Sequence, residues 1–544
     1  MNSKCDIKKI KVGSRASRLA VVQVDEVLAL LKGQGIVVEC ERRTYATTGD
    51  RDKTTSLSTG AADDFFTDTL DNAVLNREVD IAVHSAKDLP QTMNEGLRVF
   101  ALTNSADDTD AFAGRVKFKD LPPGAKVGTS SEIRRKGIKE LNPTIEVVDI
   151  RGDVIERLNL IAKGICDGVI VATAALKRLG LEKHIQDIMP WEATPLQGQL
   201  AVVGRANDMA FENLFAAIDA RRSYGKVRLV GAGPGDPDLI TAKGIKALGK
   251  TDCVFYDYLV HKDLLDYAPK AEKIYAGKRK GAHAMPQEEL NRLVRRKAMA
   301  GKTVVRLKGG DPLIFGRGAD EIDYLRQYHI RVEVIPGVSS ATGIPSRLGI
   351  PLTARDISSS VAFVSGYRQG EKETGHDLLD IPRAGTLVFL MGLTKLEQII
   401  RSLQAAGWSS HTPVIIISKG TCPEEKIVHG TLADIRQKAK DEPLEPPVLI
   451  IVGETLRFYR PAPATRILYT GTDPEQFHSA GEVIPFPMIE ITPAPPAAGQ
   501  IKTLLKNLGI YDIILFTSKF GVKYFFKLLA REGYAAKKLS KKTF

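Results

Sequence analysis

The turn Val230-Gly231-Ala232-Gly233-Pro234-Gly235-Asp236-Pro237 constrains this chain more than any other stretch. A short apolar strand, Val227 to Val230, runs into it, and a helix-like segment follows from Leu239. A strand opening into glycines and then a helix predicts an α/β sheet with backbone N–H groups turned toward a ligand. The dinucleotide fingerprint breaks here, however. Asp236 stands where its third glycine belongs, and Pro234 removes one N–H donor from the loop. A carboxylate at that place repels pyrophosphate, so the turn suits a small ligand that lacks phosphate and tolerates positive charge. Taken alone, the loop also fits a purely structural turn.

Three further stretches repeat the design. Cys253 to Tyr256 ends at Asp257; Val304-Val305-Arg306-Leu307 leads into Lys308-Gly309-Gly310-Asp311-Pro312-Leu313-Ile314-Phe315-Gly316; Val334-Ile335 opens into Pro336-Gly337-Val338-Ser339-Ser340. Open α/β sheets bind ligands at the carboxyl ends of their strands. With Gly277-Lys278-Arg279, Gly349-Ile350-Pro351-Leu352-Thr353 and Thr386-Leu387-Val388-Phe389-Leu390-Met391-Gly392, the region from about Lys226 to Leu456 resembles uroporphyrinogen-III C-methyltransferase. The resemblance implies a two-domain tetrapyrrole methyltransferase fold with S-adenosyl-L-methionine in the cleft between its domains. It assigns cofactor contacts to Pro234, Gly309, Gly310, Asp311, Ile314, Ser339, Ser340, Met391 and Gly420, and makes Asp257 the proton acceptor and Lys278 the donor. As residues alone, Asp257 also reads as a strand-end cap, Lys278 as a surface lysine and Met391 as core. Thr353-Ala354-Arg355 and Ser365-Gly366-Tyr367 depart from the family's threonine-histidine-arginine and threonine-glycine-histidine on the substrate side.

A chain of 544 residues exceeds one core and predicts roughly three to five units. No apolar run approaches the ~18 residues of a membrane span. The lysine-rich start lacks an apolar signal core, and the five cysteines form no CxxC pair. The expectation is a reduced, cytoplasmic protein without a metal site. A net charge of +12 admits nucleic acid or a polyanionic small molecule. Arginines placed singly at loop starts, with no basic tract interleaved with aromatics, favour the small molecule, because guanidinium forks pair with carboxylates.

Those arginines concentrate in residues 1–222. Lys11 to Ala20 turns from strand to helix, with Val24, Val27, Leu28 and Leu31 at helical spacing until Gly33 and Gly35; Arg15 and Ser17 there read equally as helix caps. Asp80 to Val83 is a buried strand ending at His84-Ser85-Ala86-Lys87-Asp88, where Lys87 and Asp88 also read as a solvated pair. Val127-Gly128-Thr129-Ser130-Ser131-Glu132-Ile133-Arg134-Arg135 places hydroxyls and two arginines at a helix start, a natural anion site. With Arg151-Gly152-Asp153, Arg157 and Arg178, this segment is similar to porphobilinogen deaminase (hydroxymethylbilane synthase). The resemblance implies two periplasmic-binding-protein-like domains around a cleft. Asp88 would handle protons at the pyrrole nitrogens, while Arg15, Ser17, Lys87, Arg134, Arg135, Arg151, Arg157 and Arg178 would hold acetates and propionates. The family's third domain, bearing the cysteine that anchors a dipyrromethane primer, has no counterpart before Lys226, and its glycine-glycine-lysine-glycine loop reads Ala61-Ala62-Asp63-Asp64.

After Pro461-Ala462-Pro463-Ala464, residues 466–544 resemble the start of uroporphyrinogen-III synthase through Tyr511-Asp512-Ile513-Ile514-Leu515-Phe516-Thr517-Ser518, with Phe520 in place of the family's asparagine. The expected fold class is multidomain α/β: two periplasmic-binding-protein-like domains (1–222), a tetrapyrrole methyltransferase (226–460) and a partial synthase-like α/β domain (466–544). The expected activity is methylation of uroporphyrinogen III at C2 and C7 to precorrin-2, on the sirohaem and cobalamin branch, by a homodimer that binds small tetrapyrroles and neither nucleic acid nor membrane. Two alternatives stand beside it. The first segment works as a hydroxymethylbilane synthase completed by a separate third domain, or the outer segments are non-catalytic docking modules.

Overall fold

The computed structural model describes residues 7–51, 65–90, 92–277, 285–366 and 380–461, together with 466–469, 482–485, 498–508, 516 and 518–534 near the C-terminus. Met1–Phe458 form one compact unit and Tyr459–Phe544 a second.

In the first unit, strands β1 (Lys9–Arg15), β2 (Glu39–Tyr45), β3 (Ile81–Ser85) and β4 (Leu97–Leu102) begin one sheet. The chain then builds a second sheet from β5 (Asp110–Gly114), β6 (Lys126–Gly128), β7 (Glu146–Val148), β8 (Gly168–Ala172) and β9 (Asp187–Ile188) before β10 (Leu200–Arg205) returns to the first. The strand orders are 2-1-3-10-4 and 7-6-8-5-9. In each, three parallel strands are followed by a strand antiparallel to both its neighbours, so the two lobes share a plan. The predicted helix after Ser17 runs Arg18–Gly33, with Val24, Val27 and Leu31 against Ile10, Val12 and Ile81. In the second lobe Phe112, Val127, Ile138 and Ile170 fill the core. Residues 103–109 and 189–199 are the two crossings between lobes.

Strands β11 (Val227–Gly231), β12 (Cys253–Tyr256), β13 (Glu272–Tyr275), β14 (Val304–Lys308) and β15 (Val332–Ile335) make an all-parallel sheet, order 13-12-14-11-15. Near-continuous apolar runs are what such doubly covered strands require. One expectation shifts. The helix predicted from Leu239 starts at Ala242, because Asp236 first caps a short 3-10 turn, Pro237–Leu239, and Thr241 then accepts from the Gly244 N–H. A mixed sheet follows: β16 (Val361–Ser365), β17 (Thr386–Leu390), β18 (Pro413–Ser418), β19 (Lys426–Thr431) and β20 (Val448–Gly453), order 16-17-20-18-19.

The lobes and the parallel sheet share a core. Leu102, Leu196 and Ala201 pack in one cluster with Val227, Leu229, Phe255, Leu290 and Tyr328. Each large apolar side chain buried there contributes roughly 1.5–3 kcal/mol. The C-terminal unit pairs β21 (Arg466–Tyr469) in parallel with β22 (Glu482–Pro485) and adds helices Ala498–Asn507 and Lys519–Arg531, the latter capped by the Ser518 hydroxyl. Thr517 lies outside the described residues.

Candidate active site

The parallel sheet delivers three loops to one place. The Gly310 N–H donates to Gly233 O at 2.7 Å, and the Ala232 N–H to Lys308 O at 2.8 Å, tying the loop after β11 to that after β14. Asp311 accepts from the Gly337 N–H at 3.1 Å and from the Leu313 N–H at 2.9 Å, drawing in the loop after β15. Packing is close enough to require glycine. A Cβ on Gly337 would stand 2.3 Å from Gly310 O and 2.6 Å from the Gly231 Cα. Ser339 caps helix Ser340–Arg347, accepting from the Ala341 N–H at 3.3 Å. From the mixed sheet, Thr421 Oγ1 accepts from the Asp236 N–H at 3.1 Å, and a Cβ on Gly235 would meet Cys422 Sγ at 2.8 Å. Gly420 lies against Ile344, and Gly343 against Pro234. The predicted set Pro234, Gly309, Gly310, Asp311, Ser339, Ser340 and Gly420 is therefore spread along loops that meet.

Backbone strain gathers around the same loops. Of nine non-glycine residues with positive φ among those described, Phe315, Arg317, Met391, Lys419 and Thr421 sit at these strand ends. Such conformations persist where surrounding structure over-determines them, and they cluster at ligand clamps. Met391, at φ 58°, holds its side chain 51% exposed rather than in the core. Leu313, Ile314 and Phe315 are exposed alongside Tyr258 and Leu259. A rim this apolar beside strained loops fits a large flat ligand or a partner surface.

Asp257 is half-buried at the end of β12; its Oδ1 accepts from the Leu259 N–H at 3.2 Å, and its Oδ2 lies 3.5 Å from Arg306 Nη2. Behind it stands a network that sequence reasoning missed. Glu321 Oε1 lies 2.7 Å from Lys308 Nζ and 3.5 Å from Arg306 Nε, and accepts from Gln287 Nε2 at 3.1 Å. All three charged residues are nearly inaccessible. Burial first, and then the Arg306 charge, hold the Lys308 amine below its usual range. A signal existed: β14 alternates Val305-Arg306-Leu307-Lys308, and charges inside a doubly covered strand require partners. Lys278 and Tyr367 lie outside the described residues, so the proton-donor assignment has no structural counterpart here.

In the lobes, a second set of groups converges on Asp88, which follows β3. Its charge acts on Arg15, Lys87 and Arg157. Lys87 Nζ donates to Gln197 Oε1 at 3.2 Å. Burial, then Arg134, push Lys87 down to about 8; burial, then Arg134 and Arg151, push Arg157 down to about 10. Crowded cations of this kind favour an anionic ligand. Arg151 bridges the lobes, with its guanidinium 5.6 Å from the Phe65 ring and Nη2 donating to Gly49 O at 3.5 Å. Arg15 lies 5.0 Å from the Phe66 ring and pairs with Asp50. The other predicted groups have structural partners. Ser17 caps its helix, accepting from the Ala20 N–H at 3.2 Å. Arg134 forms a buried fork on Asp110, with Nη2 2.6 Å from Oδ1. Arg135 pairs with Asp149 on the surface, and Arg178 joins Glu26 of the first lobe at 2.6 Å. The hydroxyls expected at the start of helix Glu132–Leu141 do not cap it; Thr129 Oγ1 accepts from the Ser131 N–H and Ser130 Oγ donates to Ile150 O. The 61–64 loop lies outside the described residues.

Comparison with known proteins places these segments. Residues 226–436 match the model of Tetrapyrrole (Corrin/Porphyrin) Methylases. The chain is 50% identical over 234 residues to the uroporphyrinogen-III C-methyltransferase of Methanocaldococcus jannaschii, covering 43% of this chain and 97% of that protein. The chain belongs to the uroporphyrinogen-III C-methyltransferase family. It is also 42% identical over 295 residues to the siroheme synthase of Thioalkalivibrio sulfidiphilus, covering 53% of this chain and 59% of that protein. A solved uroporphyrin-III C-methyltransferase from Thermus thermophilus, complexed with S-adenosyl homocysteine, is 39% identical; the match covers 43% of this chain and 100% of that one, at TM-score 0.38. Outside the methyltransferase, residues 10–213 match "Porphobilinogen deaminase, dipyromethane cofactor binding domain", and residues 477–544 match "Uroporphyrinogen-III synthase HemD". The methyltransferase is thus fused to a deaminase-like segment, in a protein of tetrapyrrole biosynthesis.

Proposed function

We propose that the chain methylates uroporphyrinogen III twice, at C2 and C7, to precorrin-2, using S-adenosyl-L-methionine. The observation that carries this reading is the meeting of the loops after β11, β14 and β15 with residues 420–422, beside the half-buried Asp257. These residues fit the cofactor. Glycine at 309 and 310 lets backbone approach a ligand, and the exposed Met391 thioether offers an adenine-sized apolar contact. Pro234, Ile314, Ser339, Ser340 and Gly420 complete its walls. The bound sulfonium supplies an already activated methyl group.

The remaining work falls to the chain's own groups. Binding both partners in line supplies much of the rate, since positioning replaces a bimolecular encounter. Each methyl gained by the macrocycle is balanced by one proton lost. Asp257 accepts it, with Arg306 and the Leu259 N–H fixing the carboxylate's orientation. Lys278 is the proposed proton donor. The exposed Leu313–Phe315 rim is the proposed support for the macrocycle or for a second subunit of a homodimer. The test is anaerobic incubation of the full chain with uroporphyrinogen III and S-adenosyl-L-methionine, followed by mass and absorbance. Gain of two methyl groups supports the reading; folded, cofactor-binding protein that forms no product refutes the assigned acceptor.

A second reading concerns the lobes. The cations around Asp88 support a periplasmic-binding-protein-like pair whose cleft holds polypyrrole carboxylates, with Asp88 stabilising cationic intermediates as ammonia leaves. Arg15, Lys87, Arg151 and Arg157 are the proposed carboxylate contacts. Dipyrromethane is proposed to need an anchoring cysteine from a separately encoded domain; among the described cysteines, Cys166 and Cys253 are buried in the cores and Cys40 and Cys422 are half-buried. Covalently held dipyrromethane in the purified chain would refute that need. The described cysteines are all free, which supports a reducing, cytoplasmic setting.

A further inference from the structure

The crossing at 189–199 faces two ways. Toward the lobes, Trp191 Nε1 donates to Asp110 Oδ2 at 3.1 Å; Gln197 Nε2 donates to Asp110 Oδ1 at 2.9 Å and to Thr109 O at 2.8 Å. The Gln197 carbonyl oxygen Oε1 receives both Lys87 and Arg134, the latter at 3.3 Å. Toward the methyltransferase, Glu192 Oε1 accepts from Tyr324 OH and, at 3.0 Å, from Tyr328 OH. Arg292 Nε lies 3.3 Å from Glu192 Oε2, and Arg295 Nη1 3.4 Å from Oε1. Arg295 stacks 4.3 Å from the Tyr328 ring centroid and lies 3.6 Å from Asp108 on the other crossing. Leu196 and Leu102 enter the shared core, and Gln199 Nε2 donates to Tyr224 OH at 3.1 Å.

The crossing is also braced by strained backbone. Leu196 has φ 61°, and Gly198, at φ 81°, would place a Cβ 2.2 Å from Asp107 O. A connection between two lobes is where their relative angle is set. Here it is pinned from outside by charged and aromatic groups of helices Gln287–Met299 and Gly318–Arg326 and of the Tyr328 turn after them.

We propose that the methyltransferase is the backstop of the inter-lobe hinge, and that Glu192 is the positioning residue that holds Gln197, and through it Lys87 and Arg134, in place at the Asp88 cleft. The lobes hold Gln197 through Asp110 and Thr109 and hold Gly198 through Arg178, whose Nη2 donates to Gly198 O at 2.8 Å; the methyltransferase adds the restraint at Glu192 from outside. The anchor is a carboxylate taking two phenol hydrogen bonds and two guanidinium neighbours, an arrangement with directional demands.

The test uses the full chain with Glu192→Gln, and Tyr328→Phe as a milder variant that removes one hydrogen bond and no charge. Competitive acetylation read by peptide mass gives the pH at which Lys87 is half-reactive, and hydrogen exchange reports on each segment. Arg134, Arg157, Asp88 and Asp110 face that amine, so its titration reads the cleft rather than the anchor. In Glu192→Gln the Lys87 midpoint should move away from about 8, and exchange in 103–109 and 189–199 should quicken by about tenfold or more, with β14 unchanged. Tyr328→Phe should move both readings the same way, by less. An unmoved Lys87 midpoint in both variants would overturn the proposal. So would β14 opening together with the crossings, since Glu192 would then only hold the methyltransferase fold.

Discussion

Glu321→Gln removes one negative charge from a group in which Arg306, Lys308 and Glu321 are 6%, 4% and 4% exposed. The two cations would be left with Asp257, 3.5 Å from Arg306 and itself only half-buried. Breaking a buried pair by removing one partner costs about 3–5 kcal/mol, against ~0–1 kcal/mol for a surface pair. In a domain of this size each kcal/mol moves Tm by roughly 2–4 °C, so the methyltransferase transition should fall by about 6–20 °C. Its pH dependence is a second check. Lys308 is already held below the ordinary value of 10.5 by burial and by Arg306, while Glu321 pulls the other way. Without Glu321 the depression deepens. A lysine depressed in the folded state gives up its proton on folding, so the deficit is largest at neutral pH and shrinks as pH rises toward 10.5. Calorimetry of the full chain across that range measures both. A fall below ~2 °C, or a deficit that grows with pH, would refute the buried-charge reasoning. Adding Lys308→Met should return a good part of the loss.

Asp257→Ala should lower dimethylated product formation by about 10²–10⁴-fold while leaving S-adenosyl homocysteine binding by titration calorimetry unchanged; equal loss of both would make it a structural residue. Gly337→Ala drives a methyl 2.3 Å from Gly310 O, so the same isotherm should weaken at least about tenfold, whereas Gly33→Ala, with open space around it, should bind normally. Asp110→Asn strands the buried Arg134 fork and should cost the lobes about 3–5 kcal/mol. In the unmodified chain burial pushes the Asp110 carboxyl up, but Arg134, Lys87 and Gln197 together outweigh it and hold Asp110 below 3.8, so its contribution is present above that pH and disappears as pH falls through the lower folded value. Acid unfolding that begins later in Asp110→Asn than in the parent chain would contradict this.

The parallel sheet was legible because β11, β14 and β15 are short valine-, leucine- and isoleucine-rich strands that each run into a glycine turn, a local pattern that needs no knowledge of partners. Charged groups were not. Glu321 sits among Asp320, Asp323 and Arg326, a sequence that reads as a solvated helix face. Its burial depends on where β14 and the Gln287 helix lie, which no local pattern records. Arg134 was legible as an arginine at a helix start, but its partner Asp110 is distant in sequence. Glu192 offered no signal at all, since its four partners come from a different segment.

The return of β10 to the first lobe has a consequence for how the chain is made. In that sheet β3 and β4 touch only through β10, and the whole second lobe is translated after β4 and before β10. Emerging N-terminal first, the chain cannot close its opening sheet until Leu200–Arg205 has left the ribosome, by which time the second lobe is already complete. A break in synthesis before Leu200 would strand the first lobe with an open seam between β3 and β4, a template for aggregation. One nick within 115–186, by contrast, would leave both halves of that lobe stitched together by β10.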